Sequence, residues 1–384
     1  MPGVHGYCDP RFQSVRELLG RHISSGNELG ASLCVSLDGT TAVDLWGGYA
    51  TEEARSVPWE ENTIVPVWSC SKCITNLAAL ILVDRGVLDP YARVSQYWLE
   101  FASNGKGNIE VRHILSHASG VAAWELPWST EEMYDIPLAT ERLAAQEPWW
   151  TPGTASGYHA ISQGHLVGEI VRRISGRSLG QFIQDELASP LNADFRLGAE
   201  EKDWPRCAEV VAPADPPIPS TPMDMNSMPV RILKGSPLGP ADSNTPGFRK
   251  AELGAANGMS NARALNRILS VITHNGTVNG QRILSPETVD LIFREQSSGN
   301  DLCLGAYLRF GIGYGLLASQ TVDWIPAGKV CFWSGWGGSV TIMDVDRKVT
   351  ITYAMNRMAG ATIGNDRSQA YVREIYAVLD RIST

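Results

Sequence analysis

Segments that read as strands crowd the two ends of this 384-residue chain and are scarce in its middle. Near the start, "ASLCVSL" and "TAVDLWGGYA" flank the turn "DGT" as a hairpin, preceded by apolar residues at helical spacing over 10–24. In the last third, "RFGIGYGLL", "GKVCFWSGWGGSVTIMDV" and "KVTITYAMN" alternate or run apolar between turns, and a closing helix is expected from about Ser368 to Leu379. This distribution predicts an α/β (α+β) fold. One antiparallel sheet is assembled from both chain ends and flanked by helices, with a mostly helical region inserted. The expected division is residues 1–65 with 250–384 for the sheet part and 66–249 for the helical part, with the site in the cleft between them.

In the middle, Ser71 to Arg85 is nearly continuously apolar without Pro or Gly, which predicts a buried helix stopped at Gly86. "IEVRHILSHASGV" predicts a short helix ending at Gly120, and "SQGHLVGEIVRRISG" and "SLGQFIQDELASPL" predict two more. Residues 203–250 are Pro-rich and weakly periodic, with Met and Leu interspersed; they predict a surface-hugging connection or lid. Beyond it, "SNARALNRILSVITHNG" is helical, and "LSPETVDLIF" starts a helix with Ser285 as N-cap and Pro286 at its first position. No internal repeat is present.

A net charge of −9 with no Lys/Arg run argues against nucleic acid and anionic membrane as partners. The longest apolar run, Leu77 to Val83, is far short of the roughly 20 residues a bilayer span needs. The N-terminal "MPGVHGYCDPRF" does not read as a secretory signal, so the expected compartment is the cytoplasm. Seven scattered Cys suit free, core-filling thiols in a reducing compartment.

The stretch "VWSCSKCIT" holds two pairs at spacing three, Ser69 with Lys72 and Cys70 with Cys73. On a helix, residues three apart lie about 5–6 Å apart at Cβ, so Lys72 can reach the Ser69 hydroxyl. A Ser hydroxyl becomes a useful nucleophile when a base takes its proton, and a desolvated Lys in its neutral form can do so. The alternative is a helix N-cap and a surface Lys. "SNGK", at Ser103 and Lys106, repeats the spacing in a Gly/Asn loop that does not fix the geometry. The cysteine pair lacks the preceding strand of a thioredoxin-like site and a second Cys/His pair for zinc.

Taken in order, "SCSK" opening a buried helix, "VRHILSHASGV", "PGTASGYHAISQGHLVGEIV" and "GWGGS" resemble the serine β-lactamase and penicillin-binding-protein superfamily. The likeness is to its class C-like branch, which contains family VIII carboxylesterases and lovastatin-type acyltransferases, and it spans roughly residues 25–384. It implies Ser69 as acyl-accepting nucleophile, Lys72 as its partner and Tyr158 as the Tyr of the second motif. A phenol there could relay a proton, with phenolate favoured where a Lys cation is close. The third motif departs from the β-lactamase pattern. Trp336, Gly337 and Gly338 stand where those enzymes carry Lys-Thr-Gly or a close variant, and Trp cannot hold a carboxylate. Ala160 likewise offers no side-chain hydrogen bond. Both departures favour a neutral substrate, apolar or bulky near the scissile bond, over a β-lactam. The oxyanion hole is expected from the backbone N–H groups of Ser69 and Ser339.

Among twelve Trp, those at 68, 149, 150, 333 and 336 cluster near the expected cleft. Trp149, Trp150 and Trp336 are expected to bind substrate, and Trp68 and Trp333 to fill the core. His159 is a further candidate substrate contact, whereas His113 and His117, sharing a helical face, are expected to be structural. "FGIGYGLL" has no following helix and is not read as a nucleotide loop. No cofactor or metal is expected, and the partner is a small-molecule ester or acyl donor. The leading expectation is a serine hydrolase forming an acyl-enzyme at Ser69, with water as acceptor. Alternatives are an acyltransferase passing the acyl group to an alcohol or amine, a non-catalytic binding protein on the same scaffold and, more distantly, a metal or redox enzyme.

Overall fold

The computed structural model describes residues 3–213, 224 and 227–382. Nine strands form one antiparallel sheet: β1 (Val4–Cys8), β2 (Gly30–Leu37), β3 (Thr40–Gly48), β4 (Ser297–Asn300), β5 (Tyr307–Phe310), β6 (Gly315–Leu316), β7 (Val330–Ser334), β8 (Val340–Asp344) and β9 (Val349–Met355). Their spatial order is β1-β3-β2-β9-β8-β7-β6-β5-β4, so the N-terminal hairpin joins the C-terminal strands through the β2–β9 pair. The principal helices are α1 (Gln13–Ser25), α2 (Ser71–Asp84), α3 (Ser162–Ser175), α4 (Ala262–Thr273) and α5 (Asp366–Ile382).

Because side chains alternate across a strand, the two faces of β2 and β9 meet different partners. Tyr353 on one face packs against Tyr371 of α5, with ring centroids 5.1 Å apart. On the other, Thr352 Oγ1 donates to Ala262 O (2.7 Å), Asn266 Nδ2 donates to Thr350 O (2.8 Å), and Ala262 N–H donates to Ser32 Oγ (3.1 Å). Here hydroxyls are buried under α4 because each finds a hydrogen-bond partner there. With both faces covered, β2 and β9 are buried almost throughout, apolar residues on one face and Ser and Thr hydroxyls among those on the α4 face.

Helix α2 is buried from Ser71 to Leu82 on every side, as its unbroken apolar sequence requires, and packs against α3. Several expectations are corrected. The chain opens with an exposed edge strand, β1, ahead of the first helix; only its end residues are half-buried, so it carries no clear apolar alternation. "RFGIGYGLL" turns back on itself as β5 and β6. The helix expected to run to Gly120 is only Val111–Leu115, and His117 lies beyond it at φ +61°, so His113 and His117 share no helical face.

Of the Pro-rich stretch, residues 214–223, 225 and 226 lie outside the described residues, and the lid expectation with them. The remainder includes a short helix, Met228–Lys234, whose Arg231 guanidinium stacks 4.1 Å from the Trp149 ring centroid.

Helix α5 is anchored to the sheet by a buried ion pair. Arg367 Nη1 lies 2.9 Å from Glu28 Oε2, and the hydroxyls of Tyr353 and Tyr371 donate to Glu28 Oε1. Removing one member of a buried pair strands the other charge. The variant Arg367→Met is therefore expected to lose about 3–5 kcal/mol in urea unfolding; a loss below about 1 kcal/mol, the range of exposed pairs, would contradict this anchoring.

Candidate active site

Ser69 sits in a tight turn, Trp68–Cys70, that leads into α2. Trp68 takes φ +50°, a strained conformation for a bulky residue, and its neighbours hold it there. Val67 N–H donates to Gly258 O (2.9 Å), Cys70 N–H donates to Val67 O (3.2 Å), and the Trp68 ring meets Trp336 edge-on at 5.2 Å. On the facing side stands Gly335, where a Cβ would fall 2.4 Å from Val67 O, so only Gly lets the end of β7 approach the Ser69 turn this closely.

Lys72, one turn along, is 2% exposed. Its Nζ lies 3.1 Å from Ser69 Oγ, 2.7 Å from Ala160 O and 3.1 Å from Ala255 O. Burial is the main influence on the amine and pushes its pKa down to about 7. A neutral amine has two N–H donors and one lone pair. The two carbonyls can take the donors, which leaves the lone pair for the Ser69 hydroxyl.

Tyr158 lies against this amine, with Nζ 4.8 Å from its ring centroid, and its hydroxyl accepts the Trp333 indole N–H at 2.9 Å. Burial pushes the phenol up, only partly offset by hydrogen bonding to Ser69 and Trp333. The phenolate expected beside a Lys cation is thus corrected: the phenol keeps its proton, and Lys72 is the group poised to lose one. Trp333 fills the core as expected, and its indole also fixes the phenolic oxygen.

His117, expected to be structural, packs against this cluster. Its ring centroid is 4.8 Å from that of Tyr158, and its Nδ1 accepts the His159 N–H (3.1 Å). Burial lowers its pKa well below the usual range and so favours a neutral ring. His159 is corrected in the opposite direction. It is fully buried, with Nε2 2.7 Å from Ser119 Oγ and Nδ1 2.6 Å from Gly157 O, so neither ring nitrogen is left for a substrate.

The β7–β8 turn carries Trp336, Gly337 and Gly338. Asn365 Nδ2 donates to Gly337 O (2.8 Å), while its Oδ1 accepts the N–H groups of Arg367 and Ser368 in the first turn of α5. Gly338, at φ +134°, packs so tightly on this amide that a Cβ would fall 2.2 Å from Nδ2. Among the described residues, no acceptor is bonded to the backbone N–H of Ser69 or of Ser339, and Gly335 touches both Ser339 and Trp68. Asn365 escaped the sequence reading, although Asn is a common residue just ahead of a helix and "NDRS" precedes an amphipathic run.

Trp149 and Trp150 pack with Ala122, Ala123, Met228, Ile232 and Cys303 into an apolar wall. Cys303 N–H shares the Asp301 Oδ1 acceptor with Tyr158 N–H, which ties this wall to the Tyr158 coil. The second Ser/Lys match is not a dyad: Lys106 Nζ bonds the Ser103 backbone carbonyl (2.8 Å), while Ser103 Oγ donates to Glu100 O. Cys70 and Cys73 are free, buried thiols whose pKa values burial raises. A cavity of about 800 Å³ between Trp98, Ile136, Gly168 and Leu179 includes none of Ser69, Lys72 and Tyr158.

Known proteins share this architecture. A family model described as Beta-lactamase matches residues 15–373. The chain is 32% identical over 378 residues to the Esterase/beta-lactamase LipL of Mycobacterium tuberculosis (strain ATCC 25618 / H37Rv), covering 95% of this chain and 86% of that one. Among solved structures, a family VIII carboxylesterase superposes with a TM-score of 0.91 at 32% identity, covering 98% of this chain and 99% of the other. A penicillin-binding protein homologue from Caulobacter crescentus gives 0.88 at 31% identity, with the same coverage. By sequence match, by fold and by the motifs gathered around Ser69, the chain belongs to the beta-lactamase family of serine enzymes.

Proposed function

We propose that this protein hydrolyses carboxylic esters through an acyl-enzyme on Ser69. The observation that carries the proposal is the Lys72 amine, desolvated and held between two carbonyls and the Ser69 hydroxyl. Free Lys72 takes the Ser69 proton as Oγ attacks the ester carbonyl. The resulting oxyanion is received by the Ser69 and Ser339 amides, donors of the kind whose removal costs about 10²–10³ in turnover. The Lys72 ammonium then returns its proton to the leaving alkoxide, directly or through the Tyr158 phenol, and the alcohol departs. Water repeats the cycle on the acyl-enzyme, giving up a proton to Lys72, which passes it to the departing Ser69 Oγ as the acid is released and the free amine is restored.

Two features support a neutral, apolar substrate. Trp336 stands in place of a cation beside the site, and the wall containing Trp149, Trp150, Met228 and Ile232 offers apolar area to a bulky acyl or alcohol group. The named activities of the Mycobacterium tuberculosis relative and of the family VIII carboxylesterase agree with ester chemistry. An alcohol that entered in place of water would turn the same intermediate into an acyl-transfer product, so products are to be analysed with and without added alcohols.

Two predictions follow from the chemistry of the dyad. With a short p-nitrophenyl ester, Ser69→Ala is expected to lose at least about 10³-fold in kcat, and intact mass spectrometry should find a single fluorophosphonate adduct on the wild type and none on the variant. Full turnover in Ser69→Ala would end the proposal.

The second prediction concerns pH. Activity needs the free amine, so kcat/KM should rise with pH around a midpoint near 7; a flat profile from pH 6 to 9 would contradict Lys72 as base. The same pKa bears on stability. Between the folded value of about 7 and the ordinary lysine value of 10.5, the unfolded chain holds a proton that the folded one lacks. Protonation therefore favours unfolding, increasingly as pH falls through this window and constantly below it. Lys72→Met should accordingly lose about 10²–10⁴-fold in turnover, yet melt above the wild type at pH 7, with a smaller margin at pH 9.5.

A further inference from the structure

Tyr158 has no helix or strand to hold it; it lies in coil between Thr151 and Ala160. Even so, three consecutive amides are anchored. Gly157 N–H donates to His117 O (2.9 Å), His159 N–H to His117 Nδ1 (3.1 Å), and Tyr158 N–H to Asp301 Oδ1 (3.0 Å). Asp301 opens the loop between β4 and β5, 143 residues away in sequence. It is 2% exposed, and its Oδ1 also accepts the N–H groups of Cys303 and Leu304, both at 2.9 Å. In the same loop Leu302 N–H donates to Ser156 O (2.8 Å), so the loop is stitched to the coil at Tyr158 and two residues before it.

An Asp that only shaped its own turn would serve the amides two and three residues on, which is common. The bond to Tyr158 is of another kind. It joins the edge of the sheet to the catalytic coil across 143 residues of sequence. Trp333 fixes the hydroxyl end of the Tyr158 side chain, and nothing in regular secondary structure fixes the backbone end. We propose that Asp301 is a positioning residue for Tyr158, fixing the Tyr158 backbone so that the phenolic oxygen stands in register with Ser69 and Lys72. The proposal rests on the acyl-enzyme reading above. It also explains why a buried carboxylate, costly to desolvate, is retained in an edge loop that an uncharged turn could close.

The test is a double-mutant cycle on p-nitrophenyl ester turnover, with melting temperatures measured for every variant. Misplacing the phenol should lower kcat in Asp301→Ala by about 10–100-fold, with KM changed by less than about threefold. Tyr158→Phe removes the phenol itself, so adding Asp301→Ala to it should cost nothing further. Asp301→Asn keeps an acceptor oxygen and should recover most of the lost turnover. Should Asp301→Ala not fold, Asp301→Ser serves in the same cycle, because its hydroxyl still caps the turn but is too short for the Tyr158 amide.

Wild-type turnover in the folded Ala or Ser variant, or losses that multiply in the double variant, would overturn the proposal. An Asn variant as slow as the Ala variant would overturn it as well. Wild-type turnover in Tyr158→Phe is a separate outcome, which would remove the role given to Tyr158 in the acyl-enzyme reading and with it the reason for positioning.

Discussion

An amine with no counter-charge at its nitrogen among the described residues, buried against two backbone carbonyls and one hydroxyl, is the interaction on which the rest of the site depends. Burial favours the uncharged form of Lys72, and hydrogen-bond arithmetic directs the lone pair of that form. The carbonyls come from residues 160 and 255, nearly a hundred positions apart, so the amine is oriented only when the coil after Tyr158 and the segment before Gly258 are both in place. Helix α2 makes this possible. Buried on all sides, it can present a Lys inward, away from bulk solvent.

The sheet contributes through its turns. The β7 end reaches the nucleophile's turn because Gly335 has no Cβ, and Asn365 clamps the peptide of Gly337 beside it. Asn365 is in turn held by the first turn of α5, whose Arg367 is paired with Glu28 at the far side of the sheet. The Glu28–Arg367 pair thus lies two residues along the chain from the residue that shapes the Ser339 turn. Electrostatic stabilisation of an oxyanion relies on donors fixed before the reaction begins, and under the proposed function this chain of contacts would supply that rigidity.

Much of this was legible in the sequence because it depends on periodicity and on local spacing. The apolar run after Lys72 could only be a buried helix, and the strand-like segments at the two ends had to share a sheet. Features that depend on long-range partners were not legible. β1 is an exposed edge strand with little alternation, held by its pairing with β3. The Ser and Thr side chains under α4 look like surface residues until Ala262, Ser270 and Thr273 are seen to satisfy them. The place of His117 is not legible because the helix ahead of it stops earlier than its sequence suggests, and that of the His159 ring because adjacency to Tyr158 in sequence says nothing about which way a ring points. Asp301 carries no local signal beyond a turn, since its important partner lies on a distant segment.

The central claim is that Lys72 is a free amine at the pH where the protein works. Following the Lys72 Cε resonance by carbon-13 NMR through a pH titration, with assignment from the Lys72→Met spectrum, tests it without reference to any substrate. A single titration with a midpoint near 7 is predicted. An amine still protonated at about pH 10, as in an ordinary exposed lysine, would contradict the account and move the search for the base elsewhere in the cluster.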